Sequence, residues 1–579
     1  MIRLRSLAAI ALLPLVACSS RVVSIGVTVL TKRCTPTGST AVTATASDGV
    51  DHYKVVISGA DFDPITKIAA PGAIELDAIP PGSNRVLAIT GYKGDPSGTS
   101  ATPLAFGQSV PFTVPTDPSQ KVQVTVLLKP AGEFIGVSTT ADATKCATLT
   151  TPRAGHTATL LNDGRVLFTG GFSLKPNTST SYPVASDSTN WVFRNDAEIF
   201  DPATNTSTAV SAMTYVDTDG GVHDDDTAFQ AAALLQDGTV FVSGGEVGSG
   251  ANPQARPNTM LYSPGGDSWQ AGYMSYSYVD GGSSGAISRS RHTSAADSSG
   301  RAIVVGGIDY QDLGGGFRQA VLADDPIWLD PATGQFHGIT DIYGAPVDIY
   351  RENARSAAVL GNSALAVVGG DVLDAGLADP PIIFFQYSNI SDSNGNPTSV
   401  MNMLAQPLYE ADAGMGLYRS HAAAAVLGAE QHLMVIAGGT GPDGGLMQTA
   451  AVVDSTVSST QLPLATPGRG RNDPCAAALA DGRVLVAGGQ TSATQTSNLA
   501  DLYSESSYTY NAPTRTTGPS SSAQAKVETD LPSMLQGRFL HTCTVLNDGS
   551  VLIAGGVNED SGKFTVLNTL ELYVPVPVK

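Results

Sequence analysis

The stretch Thr151 to Gly171, TPRAGHTATLLNDGRVLFTGG, constrains this chain more than any other, because its pattern returns down to the C-terminus. Each copy has a small or apolar run, a tight polar turn, a second apolar run and a glycine pair. After Gly170-Gly171 the pairs are Gly244-Gly245, Gly306-Gly307, Gly369-Gly370, Gly438-Gly439, Gly488-Gly489 and Gly555-Gly556. Pairs recurring at intervals of about 50 to 75 residues mean one supersecondary unit used many times. The unit reads as four strands. In the first copy these are Gly155 to Leu161, Arg165 to Thr169 after the turn Asn162-Asp163-Gly164, Ala197 to Pro202, and Ser207 to Met213.

The seven glycine pairs, the turns at Asp163-Gly164, Asp237-Gly238, Asp481-Gly482 and Asp548-Gly549, and the AExYDPxT-like segments at Ala197, Pro326 and Thr569 together resemble the kelch family of β-propellers. The resemblance covers residues 145–579 and implies seven blades. The family also expects a tryptophan on the fourth strand, and only Trp269 fits. The last unit ends on its third strand at Glu571-Leu572-Tyr573. Strand counting therefore expects Cys146 to Thr151 to complete the final blade and protect its edge.

Ahead of the array, residues 19–130 carry short strand candidates at Tyr53–Ser58, Ala73–Ala78, Asn84–Thr90 and Val110–Val114, and a cleanly alternating VQVTVLL. Turns such as Pro80-Pro81-Gly82 separate them, which predicts a small antiparallel sandwich. IPPGSNRVLAITGYKG is similar to immunoglobulin- or prealbumin-like modules. Residues 131–144 read as a small-residue linker. The expected fold class is thus all-β: a seven-bladed kelch-like propeller behind an immunoglobulin/prealbumin-like sandwich.

Met1 to Cys18 reads as an export signal, with Arg3 and Arg5 before the apolar run Leu7 to Leu15. Leu15-Val16-Ala17-Cys18 resembles the lipobox of bacterial lipoproteins, which implies lipidation of Cys18. Ser19 after it implies onward sorting to an outer membrane. A formal net charge of −20 argues against nucleic acid, whose recognition needs a basic footprint. Cys34, Cys146, Cys475 and Cys543 face an oxidising compartment, and four cysteines allow three connectivities. Placed on the outermost and innermost strands of one blade, Cys146 and Cys543 are out of disulfide reach of each other.

Long insertions fall on one face of the expected propeller, as at Phe172 to Asn195, Gly272 to Ser288 and Asp309 to Asp325. That face is rich in acid and tyrosine. Asp217, Asp219, Asp224, Asp225 and Asp226 share one loop, Tyr276 and Tyr278 another, and Tyr310 a third. Arg153, Arg289, Arg419, Arg471 and Arg538, with Arg351 and Arg355 near the equivalent place, precede the first strands. Their forks suit carboxylate or phosphate ligands, and structural pairing to neighbouring acids or carbonyls is the stronger reading.

Arg153, Arg289, Arg419, Arg471 and Arg538, with Asp224, Asp225, Tyr276, Tyr278 and Tyr310, form the candidate ligand-binding set for a protein or glycan of the cell envelope. The expected function is non-catalytic binding, with no cofactor. Calcium at DTDGGVHDDD fits poorly to an EF-type loop. A purely structural surface role is one alternative. The other is a copper oxidase: GRFLHTCTVLNDGSVLIAGG also resembles the repeats of galactose-oxidase-like enzymes, and His156, His292, His421 and His541 start inner strands. That family needs a Tyr-His pair, and Gly155, Arg291, Ser420 and Leu540 precede these histidines instead.

Overall fold

A computed structural model describes residues 23–576 apart from the segments 37–47, 278–286, 341–346, 348–355, 360–364, 371–381, 392–396, 404–418, 455–460, 466–468 and 507–523 and some shorter ones. Cys18, Tyr278, Asp217, Arg351 and Arg355 therefore lie outside the described residues. The chain divides into two compact units, one of Met1–Thr31 and Ser47–Leu128, the other of Lys32–Ala46 and Lys129–Lys579. Among the described residues no helix is long and apolar enough to cross a membrane.

In the first unit Val23–Leu30 lies between Ile74–Ile79 and Val122–Leu127. Its pairing with Val122–Leu127 is parallel, with Ile25 beside Val122. A second sheet runs Phe62–Ala69, His52–Gly59, Gly82–Lys93, Thr102–Gln108. Alternation puts Val23, Ile25 and Val27 of one sheet and Tyr53, Val55 and Ile57 of the other into the interior.

The second unit is a series of small sheets. The first runs Thr157–Leu160, Val166–Thr169, Ala197–Asp201, Thr206–Val210, each strand antiparallel to the next. Val166, Leu167 and Phe168 are all buried, because this second strand is covered on both faces by neighbouring sheets and an unbroken apolar run suits it. The Asp163 carboxylate accepts the Arg165 N–H and Gly164 takes φ +87°, which fixes the hairpin turn. Asp237, Asp481 and Asp548 accept the N–H of Thr239, Arg483 and Ser550 in the same way.

The first strands of successive sheets stand side by side, and the glycine pairs let them. Gly488 has φ +69°, and a β-carbon on it would lie 2.6 Å from His541 Cε1 of the following sheet. On Gly555 a β-carbon would lie 2.8 Å from His156 Cε1. The first glycine of each of these pairs thus leaves room for an imidazole of a neighbouring sheet.

The last sheet runs Glu133–Gly136, Leu570–Val574, Val551–Ala554, Thr542–Val545. Its edge is completed by Glu133–Gly136, not by Cys146–Thr151, which contributes one bridge between Thr148 and Thr569. Phe134 supplies the reason: it is buried against Tyr573 with ring centroids 4.9 Å apart, an aromatic anchor that 146–151 lacks.

The expected fold class is corrected. What stands is an all-β protein of many small, separate sheets, and the finer description as a seven-bladed kelch-like propeller behind an immunoglobulin/prealbumin-like sandwich is withdrawn. Among the described residues no hydrogen-bonded ladder joins one sheet to the next. Nor are the sheets identical. One has five strands, with Tyr276–Ser277 parallel to Gln335–Gly338 at its edge, and two-stranded ribbons such as Ile308–Gly314 with Phe317–Leu322 intervene. The parallel pairing in the first unit likewise overturns the all-antiparallel sandwich.

Candidate metal centre in a shared cavity

The strands Cys475–Ala478 and Thr542–Val545 begin two sheets and pack against each other. Cys475 and Cys543 are joined there as a disulfide with Cα atoms 5.7 Å apart, within the usual span of such bonds. Cys34 and Cys146 form the other, at 5.2 Å. Leu540, in the left-handed region at φ +52°, turns the chain so that His541 enters beside the sulfur pair. Sulfur atoms of Cys475 and Cys543 and a ring nitrogen of His541 all lie within 4.8 Å of one another. These three residues are able to hold a metal ion when the sulfurs are reduced.

The donor chemistry passes a direct test. Both His541 ring nitrogens are buried without a hydrogen bond of normal geometry, and the Ala487 carbonyl is the backbone group that acts on the ring. Burial and then the Arg538 charge push the imidazole down to about 3, so the ring is neutral and its lone pair is available. Two thiolates and an imidazole make a soft donor set.

All three residues line a cavity of about 460 Å³ shared by the first strands. His156 and His292 line it as well. His156 Nε2 is 3.2 Å from Thr542 Oγ1, and burial followed by Arg153 lowers its pKa. His292 Nε2 is 2.8 Å from Ser243 Oγ, and burial with Arg289 pushes it down to about 3. His421 pairs with Asp473 at 3.0 Å.

The arginines read as candidate ligand-binding residues are buried framework. Arg153 donates to the Gly170 carbonyl and to Glu198, Arg289 to Gly306 and Asp325 carbonyls, Arg419 to Gly438, Arg471 to Leu499 and Asp501, and Arg538 to Gly555 and Glu571. Each is no more than 2% exposed, its fork spent on carbonyls and acids of its own sheet.

Among the described residues the acidic and tyrosine candidates are held by separate partners. Asp224 is exposed and accepts from Asn195, while Asp225 is buried and accepts from Asn258 at 2.7 Å. Tyr310 donates to Glu246 at 3.0 Å, and Tyr276 lies on an edge strand. Among the described residues the calcium-candidate loop brings no three carboxylates within ligating distance.

The assignment as a non-catalytic, non-enzymatic binding protein is corrected by the Cys475–His541–Cys543 cluster, a buried metal-capable centre in a cavity. Sequence reasoning missed it because the cysteines are 68 residues apart and match no ligand-spacing motif. Their shared position at the start of consecutive first strands was the available signal.

Fold and cluster together define the class: an all-β protein with a Cys/His cluster that could hold a metal ion, in a cavity shared by the first strands. No family model matches the chain and no curated protein matches it, so the kelch resemblance is also withdrawn. Among solved structures the chain is similar to a fungal alcohol oxidase of the AA5 family in complex with copper. The identity is 14% over 74% of this chain and 75% of that one, with a TM-score of 0.45. It is also similar to YjhT, at 15% identity over 73% of this chain and 95% of that one, with a TM-score of 0.36. At these values neither likeness decides an activity.

Proposed function

We propose that the chain is a metal-dependent oxidoreductase whose centre is Cys475, His541 and Cys543, with copper as the metal. The observation that carries this is the meeting of three soft donor atoms within 4.8 Å on the wall of a 460 Å³ cavity. Thiolate and imidazole together select soft or borderline ions, and copper when bound supplies one-electron exchange with a substrate or oxygen.

The chain's own residues set the conditions. His541 is kept neutral by burial, and Arg538 is neutralised by Glu571. The cavity limits the substrate to a small molecule. The sulfurs bind metal only as a dithiol, so the disulfide form is the unloaded state. The signal Met1–Cys18 and its lipobox support a lipid-anchored envelope location.

The test is anaerobic reduction of the full chain, loading with Cu(I) or Zn(II), dialysis, and measurement of metal content and oxygen uptake with small alcohols and amines. One retained copper and copper-dependent oxygen uptake, both lost in Cys475→Ser, support the reading. Zinc retained in place of copper, with no oxygen uptake, overturns it.

A further inference from the structure

Beside the shared cavity lies a second chamber of about 470 Å³, and Leu540 lines both. Phe172, Trp191, Phe539 and Phe564 contribute its aromatic walls, and Glu559 its acid. Phe172 and Trp191 stack with centroids 3.9 Å apart, and the Trp191 indole N–H is held by the Ala185 carbonyl at 3.1 Å.

Glu559 stands on the ribbon Val557–Asp560 and is 2% exposed. One carboxylate oxygen accepts from Gln490 at 2.6 Å. No Lys, Arg or His lines the chamber, and among the described residues no cation pairs with this acid. An acid buried without counter-charge is costly, and burial pushes the Glu559 carboxyl up. A bound cation removes that cost, and aromatic faces add their own attraction for positive charge. The net charge of −20 draws cations to the molecule.

We infer that this chamber is a binding site for a small organic ammonium ion, its charged nitrogen against Glu559 and its apolar part against the aromatic walls. Phosphate, carboxylate and other anions are excluded by the same acid. The inference does not depend on the metal centre, because the chamber is formed in the disulfide state.

Calorimetry and tryptophan fluorescence on the oxidised, metal-free full chain test it, with benzylammonium and benzyl alcohol as probes of nearly equal shape. A charge-assisted hydrogen bond predicts benzylammonium binding roughly tenfold tighter or more, and loss of that preference in Glu559→Gln. Equal or tighter binding of the alcohol, no binding of either, or an amine preference kept in Glu559→Gln overturns the inference. Should Glu559→Gln fail to fold, the amine-to-alcohol ratio on the native chain decides alone.

Discussion

Cys475 and Cys543 face each other across two neighbouring first strands, bonded to each other while both stand within ligating distance of His541. The same sulfurs cannot hold each other and a metal. The oxidised chain is therefore expected to take up no copper, and the reduced chain about one equivalent. Cys543→Ser should abolish uptake, and His541→Ala should weaken it by more than the roughly 10- to 100-fold that loss of a group merely orienting a ligand costs. Metal content by mass spectrometry after dialysis, with and without reductant, checks each outcome.

Gly488 sits against that centre. A β-carbon there would lie 2.5 Å from the Arg538 carbonyl and 2.6 Å from His541 Cε1, at a backbone angle L side chains rarely adopt. The backbone contact cannot be relieved by a rotamer change. Gly488→Ala is expected to destabilise the fold by about 2–4 kcal/mol and to displace the imidazole. Gly549, with positive φ but open space around it, should cost about 1–2 kcal/mol for strain alone. Urea midpoints of the two variants check the difference.

The difference between local and distant contacts explains what could be read from the sequence. Val166–Phe168 and the Asn162-Asp163-Gly164 turn declare themselves because pattern and partner lie within a few residues. Phe62–Ala69, FDPITKIA, hides as a strand because it is an outer strand exposed on both faces, with Asp63 and Lys67 on one and a proline on the other. Glu133–Gly136 hides because its partner, Leu570–Val574, lies at the far end of the chain. The Cys475–His541–Cys543 cluster depends on which two strands become neighbours, and only the matching positions of the cysteines in consecutive first strands hinted at that. The arginines are an intermediate case: their regular position before each first strand was visible and pointed more to structural pairing than to a ligand, while the depth of their burial was not legible.

Arg538 and Glu571 form a fully buried ion pair, and Glu571 also accepts the N–H groups of Leu535 at 2.7 Å and Gln536 at 3.1 Å. Glu571→Ala leaves a buried guanidinium and two N–H donors without their acid, an expected loss of about 3–5 kcal/mol. Asp163→Ala removes the half-exposed Arg165 pair and should cost under about 1 kcal/mol from the pair itself. Thermal denaturation of the two variants is expected to rank them in that order.

His292 gives the chain an acid-sensitive element in the wall of the shared cavity. Burial first, then Arg289, pushes it from an ordinary 6.5 down to about 3. Between these values the unfolded chain binds a proton at this ring and the folded chain does not. Stability from this group is therefore present in full above about pH 6.5 and falls as the pH drops towards 3. At pH 5 the loss is on the order of 2 kcal/mol. Glutamine keeps a donor near Ser243 and does not titrate, so His292→Gln should make the decline between pH 6.5 and 5 shallower, the buried His156 and His541 keeping their own share. Urea unfolding of native and variant chains across that range reads the slope directly. An unchanged slope would mean that His292 is reached by solvent and protonates in place, which its burial in the cavity wall opposes.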